Sequence, residues 1–337
     1  MVSIRAMASS VESTPQGFHD VRRRLAGLRP GQGTGGFDPA LEHLHAAADA
    51  PRRPAAQPVE GSVVRAHRVP APVEPGFAAF LDGTQSSRIL DFVNGVAVIH
   101  GTVAAVIRER RNRRMATWAH AVEQRVYAPR RALPEEYWTS LESLGLALVD
   151  TSDDVPSGGG SLAHPFTLRD GAIHRVGRDR ERLEARLAER WCGVERGMLF
   201  IDGGISGNER VANAPCTAGV VKSHRTLYVE GEALTRVLAL QAGERSTVVR
   251  IASPKRLPVA SWYLRLRDPA GRDPMWGLVR VETADMPVAS SAEITARADQ
   301  LSRWILAEVA PLALPDGRWD KMVYGVRDCE EFLRAVT

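Results

Sequence analysis

Lysine is nearly missing from this chain. Lys222, Lys255 and Lys321 are the only three, and the other 41 of its 44 basic residues are arginine. GC-rich codons favour Arg, Ala, Gly and Pro, so base composition accounts for most of that bias; a lysine inside a motif is still poor filler here. Cysteine is equally sparse. Cys192, Cys216 and Cys329 are too few and too scattered for a disulfide framework or a Cys-rich zinc site. No apolar run approaches the roughly 18 residues of a membrane-spanning helix. The opening MVSIRAMASSVESTPQGFHD lacks the charged start and apolar block of a secretory signal. These absences lead us to expect a soluble, cytoplasmic protein with no membrane association.

Chemical motifs are missing too. There is no GxxxxGK[ST] loop and no strand-linked GxGxxG, so the chain is not itself an ATPase. It has no GxSxG elbow, and its histidines show no HExxH spacing. Covalent catalysis has no support.

What is present is a chain of 337 residues, 44% hydrophobic and 25% charged, long enough for one large domain or two modest ones. Its net charge of +4 and pI near 9.2 do not by themselves indicate nucleic acid. Residues 1–75, with GLRPGQGTGG, DAPRRPAAQPVEG and RVPAPVEPG, read as a flexible or loosely attached arm. Two short helical patterns interrupt it, FHDVRRRLAGL and PALEHLHAAADA. Residues 76–337 form the expected domain. GFAAFLDGT reads as a buried strand ending at Asp82, and Asn94-Gly95 between apolar runs predicts a hairpin. Residues 115–148 read as amphipathic helix, and RDRERLEARLAERW (178–191) as another, with Leu183 and Leu187 on one face. GMLFIDGGIS is a second apolar strand, ending at Asp202. Then come AGVVKSHRTLYVE, a helix at ALTRVLALQAG, a strand at STVVRIAS, a hairpin of WYLRLRD with GLVRVET, and a helix at EITARADQLSRWILAEV. A last helix starts near Asp328. The expected fold class is α/β, a mixed sheet flanked by helices.

The paired strand–Asp–Gly elements carry the most information. Two carboxylates on neighbouring strands can hold Mg²⁺ or Mn²⁺, which prefer oxygen ligands. Strand-end Asp-Gly is also ordinary turn chemistry, but here it recurs after two apolar runs. Lys222, at the end of AGVV, could neutralise a transferring phosphoryl group. The block RERRNRRM holds Arg108, Arg110, Arg111, Arg113 and Arg114, which either neutralise phosphates or form a solvated helix start.

An acid on the first strand, an immediate hairpin, a helix and a second acid on a later strand is the plan of the ribonuclease H-like fold. FLDGTQSSRIL, MLFIDGGIS, AGVVKSHRTLYV, WYLRLRD and GLVRVE, in that order, resemble the NurA family of nucleases over residues 76–337. The resemblance implies a ribonuclease H-like nuclease dependent on Mn²⁺ or Mg²⁺. It would hydrolyse DNA by two-metal chemistry with water as nucleophile, in end processing or defence against foreign DNA. It further implies a homodimer and a HerA-type hexameric ATPase as partner. Asp82 and Asp202 match the family's two strand aspartates. Its helix glutamate falls at Glu184, with Glu181 and Glu189 nearby. Its fourth ligand falls in MVYGVRDCEEFLRA, at Asp328 with Glu331 in reserve, where Gly325 replaces the usual proline. Arg280 and Glu282 match an Arg-x-Glu strand, which contacts the DNA backbone or serves as a structural edge. Asp82, Asp202, Glu184 and Lys222 are the implied catalytic residues, and Asp82, Glu184, Asp202 and Asp328 the metal ligands. Arg108, Arg111, Arg114 and Arg280 are the implied DNA contacts. The alternative is a catalytically weak DNA-binding or assembly subunit.

Overall fold

Asn94 and Gly95 both take positive φ, 50° and 80°, the two-residue turn whose twist matches paired strands. In the computed structural model they join β3 (Ala79–Val93) to β4 (Val96–Arg111), the hairpin expected from the sequence. The structure describes residues 17–27, 56–112, 114–154, 164–194, 196–223, 226–253, 256–269, 273–309 and 321–337. They comprise a mixed sheet with flanking helices, an α/β fold, whose contacts divide into two units. No described helix is long and apolar enough to cross a membrane.

The smaller unit spans Met1–Ala47, Gln85–Val103 and Val122–Asp179. It contains α1 (Phe18–Gly27), the later part of β3, the start of β4 and the end of β5 (Arg114–Ala128). It also holds α2 (Glu135–Ser143), β6 (Leu148–Asp150) and the first half of α3 (Pro165–Cys192). Strand β6 pairs parallel with β5, Tyr127 beside Val149. Phe18, Val21 and Leu25 of α1 enter one apolar cluster with Leu90, Val98, Trp138, Leu141 and Leu168. The FHDVRRRLAGL helix expected in the arm therefore forms, and it is part of a core rather than loosely attached. The PALEHLHAAADA pattern lies outside the described residues.

A second correction concerns 115–148. Its first half is not helix but β5, followed by a short 3-10 turn at Arg130–Ala132 and by α2. Asn112, at φ 49°, turns β4 directly into β5. Thr117, Trp118, Val122, Val126 and Tyr127 are the β-branched and aromatic types a pleated surface accommodates. The arginine block thus caps a hairpin and is not a helix start.

The larger unit spans Ala48–Thr84, Ala104–Ala121 and Arg180–Thr337. Its strands begin with β1 (Gln57–Pro58) and β2 (Ala66–Arg68), then the start of β3. They continue with β7 (Leu199–Asp202), β8 (Thr217–Val221), β9 (Glu244–Ser246), β10 (Val249–Ser253), β11 (Arg256–Arg265) and β12 (Leu278–Ala284). The order β1-β10-β11-β12-β8-β7-β3 runs along the sheet, with β9 between β2 and β11. The β11–β12 hairpin expected from WYLRLRD and GLVRVET is antiparallel, Trp262 opposite Val281. Helices α4 (Glu209–Ala212), α5 (Gly231–Leu238), α6 (Ser291–Ala307) and α7 (Tyr324–Val336) complete the unit. Ser290 and Glu293 close a capping box at the start of α6, which docks on β11 through the Trp262 indole N–H on Ser302 Oγ.

Glu60, in the expected arm, is 7% exposed and accepts both outer nitrogens of Arg245, each at 2.7 Å. Arg245 Nε also donates to Asp299 at 2.6 Å. The described residues between 56 and 75 are therefore built into this unit, and the 75/76 boundary does not separate an arm from a domain. Because Arg245 is fully buried, its removal would strand two carboxylates. Arg245→Ala is expected to destabilise the protein by about 3–5 kcal/mol, read from urea unfolding. Phe18→Ala should cost about 3 kcal/mol by emptying part of the smaller unit's core. An unchanged midpoint for either variant would contradict these packing assignments.

Candidate functional site

Three adjacent parallel strands bring the acids together. In β3 and β7, Phe80 lies beside Phe200 and Leu81 beside Ile201. The same register carried one residue further sets Asp82 next to Asp202, at the roughly 4.8 Å spacing of neighbouring strands. On the other side of β7, Asp202 pairs with Val220 of β8. Lys222, two positions on, shares Val220's face, and its Nζ donates to Asp202 Oδ2 at 2.8 Å. The third acid comes from α3. Glu184 lies against Gly83, so close that a Cβ there would sit 2.1 Å from Glu184 Oε1.

The two Asp-Gly elements therefore differ. Asp202 ends β7, and Gly203 turns at φ 138°. Asp82 does not end a strand, because β3 runs unbroken to Val93. Gly83 is extended chain whose missing side chain admits Glu184. The strand end expected at Asp82 is corrected accordingly.

Electrostatics follow from the crowding. Asp82 is 8% exposed. Burial, then the Asp202 charge and then that of Glu184, push its pKa up to about 8, against the pull of Lys222 and the Gly83 N–H donating at 2.8 Å. Burial also raises Glu184, to about 7, aided by Glu181 and Asp202 and opposed by Arg180, which donates to Glu184 Oε1 at 2.8 Å.

The remaining expected residues sit elsewhere. Asp328 lies in the second turn of α7, which begins at Tyr324 rather than near 328, and its carboxylate is held by Arg108 Nε. Asp328 and Arg108 are therefore paired with each other and stand apart from the Asp82–Asp202–Glu184 group as the structure places them. Glu331 pairs with Arg327 at 2.9 Å. Arg280 is 7% exposed, stacks on Tyr228 and pairs with Glu282, whose Oε2 accepts the Ile205 N–H at 2.8 Å. Through Glu282 it braces the turn after Asp202. Arg110 forms a two-point pair with Glu308. Arg111, exposed and paired with Glu109, and Arg114, also exposed, stand at the β4–β5 hairpin end. Arg113 and His224 lie outside the described residues.

Sequence reasoning missed three contributors. Arg180 sits one turn before Glu184, and Gly83 acts by close approach rather than by turning. Lys321 Nζ donates to the Lys222 carbonyl at 3.3 Å, and its signal was the rarity of lysine itself. Among the described residues, no three His, Cys, Asp or Glu side chains are already gathered as ligands of one ion. The donor chemistry nevertheless fits a hard divalent cation: three crowded carboxylates, two of them raised by burial and then by neighbouring charge, with Lys222 and Arg180 as the balancing charges.

No protein-family profile and no curated protein sequence matches the chain. Among solved structures it is similar to the NurA nuclease from Sulfolobus solfataricus, at 11% identity and a TM-score of 0.45, over 78% of this chain and 81% of that one. It is also similar to the catalytic domain of human Endonuclease V, at 15% identity and a TM-score of 0.31, over 77% and 84%.

A carboxyl whose folded pKa exceeds its unfolded value leaves the native state binding more protons. The Asp82 contribution to stability therefore falls as pH rises from about 4 to 8. In chelator, Asp82→Asn should stabilise the protein by on the order of 2 kcal/mol at pH 8 and by less at pH 5. Thermal unfolding at both pH values measures this, and a destabilised variant at pH 8 would refute the crowding.

Proposed function

We propose that the larger unit is a divalent-metal-dependent DNA nuclease. One observation carries this reading: adjacent parallel strands set Asp82 beside Asp202, with Glu184 pressed against Gly83 and Lys222 as the near cation. Asp82 and Asp202, with Glu184, would hold Mn²⁺ or Mg²⁺. When bound, such ions supply the Lewis acidity that phosphodiester hydrolysis needs. Lys222, which donates to Asp202 in this structure, would face the phosphoryl group and neutralise its charge. Arg111 and Arg114 would take backbone phosphates, which makes binding salt-dependent. Cys329, the nearest thiol, is fully buried and directed at the Phe80 carbonyl, so water remains the nucleophile. A HerA-type hexameric ATPase is the partner we propose, since the chain has no phosphate loop with which to move DNA. A homodimer and a cytoplasmic setting belong to the same reading, as does a role in DNA end processing or defence.

A second reading, an assembly subunit that binds DNA without turnover, is favoured by one observation: Asp328 is taken up by Arg108 and leaves the acidic cluster one ligand short.

Cleavage of linear DNA titrated with Mn²⁺ distinguishes the two. Asp82→Asn and Asp202→Asn should each reduce cleavage at least about 100-fold. Gly83→Ala, which replaces no ligand, should also lower it by displacing Glu184. Full activity in either aspartate variant would overturn the site, and DNA binding with no cleavage at any Mn²⁺ concentration would establish the second reading. Adding the ring partner with ATP should raise the rate over a non-hydrolysable analogue; equal rates would remove it from the mechanism.

A further inference from the structure

Cys192 closes α3, and Cys216 immediately precedes β8. Far apart in sequence, their thiols are hydrogen-bonded to each other. Both are partly exposed, whereas Cys329 is buried. The backbones that carry the pair are fixed from both sides. The Trp191 indole N–H donates to the Gly197 carbonyl at 2.9 Å, and the Leu199 N–H to the Cys216 carbonyl at 2.8 Å. The hydrogen bond with Cys216 and then burial push the Cys192 thiol up. Arg297 lies beside Cys216, and its guanidinium also donates to the neighbouring Pro215 carbonyl. An open polar cleft of about 560 Å³, lined by Glu189, Asn208, Arg210 and Ala214 among others, lies one helical turn before Cys192 and two residues before Cys216.

We propose that Cys192 and Cys216 form a reversible dithiol–disulfide site that reacts with small-molecule disulfides of the glutathione class. One of the two sulfurs, as its thiolate, attacks a sulfur of the external disulfide, forms a mixed disulfide and expels one thiolate. The other protein thiol then loses its proton to that thiolate and attacks the protein sulfur of the mixed disulfide, expelling the second. Two protein thiols are oxidised, one external disulfide is reduced to two thiols, and excess thiol drives the reverse. The bond ties the end of α3, about two turns beyond Glu184, to the strand that leads to Lys222.

The test uses the whole folded chain, treated with oxidised glutathione, alkylated and mapped by peptide mass spectrometry. The wild type should become lighter by two hydrogens and yield a linked Cys192–Cys216 peptide that dithiothreitol removes, with Cys329 alkylated only after unfolding. Cys192→Ser and Cys216→Ser should each accumulate a glutathione adduct on the remaining thiol in place of the linked peptide. Stable adducts on the wild type, or unreacted thiols in all three proteins, would overturn the proposal.

Discussion

Like charges crowded out of water repel, and the larger unit is organised around that repulsion. Asp82, Asp202 and Glu184 come from β3, β7 and α3, each largely screened from solvent. Two cations answer them at 2.8 Å, Lys222 on Asp202 and Arg180 on Glu184. Asp82 has only a backbone N–H, from Gly83. The least compensated acid is therefore the one in the middle of a continuous strand, where the ladder fixes its position and it cannot swing into solvent. Such an arrangement costs stability, and in the nuclease reading we propose a counter-ion would relieve it.

Close approach of backbone to side chain makes the crowding possible. Gly83 admits Glu184 to β3, and Gly325 does the same for α7, where a Cβ would lie 2.3 Å from the Phe80 ring. Phe80 is two residues before Asp82 and also lies under the Arg110 guanidinium. The glycine that replaces the proline of the resembled family thus has a steric reason of its own: α7 lies directly on the strand that bears Asp82. The same seating turns Asp328 to Arg108.

Much of this was legible in the residues and some of it could not be. The Asn94-Gly95 hairpin, β7 ending at Asp202, the β11–β12 pair and α6 follow from local chemistry that tertiary contacts do not override. Asp82 and Asp202 were found because an apolar run followed by Asp-Gly occurs twice. The function of each glycine was not legible, because a turn and a close approach look alike until the partner side chain is known. Strand β5 was misread because the helical pattern around YWTSLESLGLAL was carried back over residues 115–128, where pairing with β4 decides. Arg108 and Arg280 show what the sequence could not reveal. An arginine's sequence neighbours do not reveal the carboxylate that will meet it, and both found one, in Asp328 and Glu282.

The division of labour between the two basic residues carries the sharper lesson. Arginine builds this protein: Arg245 is buried on Glu60 and Asp299, Arg110 grips Glu308 at two points, and Arg265 donates to the Leu238 and Leu240 carbonyls at the end of α5. A planar fork suits such fixed, two-point roles. The two described lysines both stand at the acidic cluster, Lys222 on Asp202 and Lys321 on the Lys222 carbonyl. An ammonium is a compact charge on a flexible stem, able to leave a carboxylate for a phosphate a few ångströms away. A guanidinium locked in two hydrogen bonds could not make that move as freely. In a chain whose composition so strongly favours arginine, lysine at these two positions fits a site where the cation must change partners.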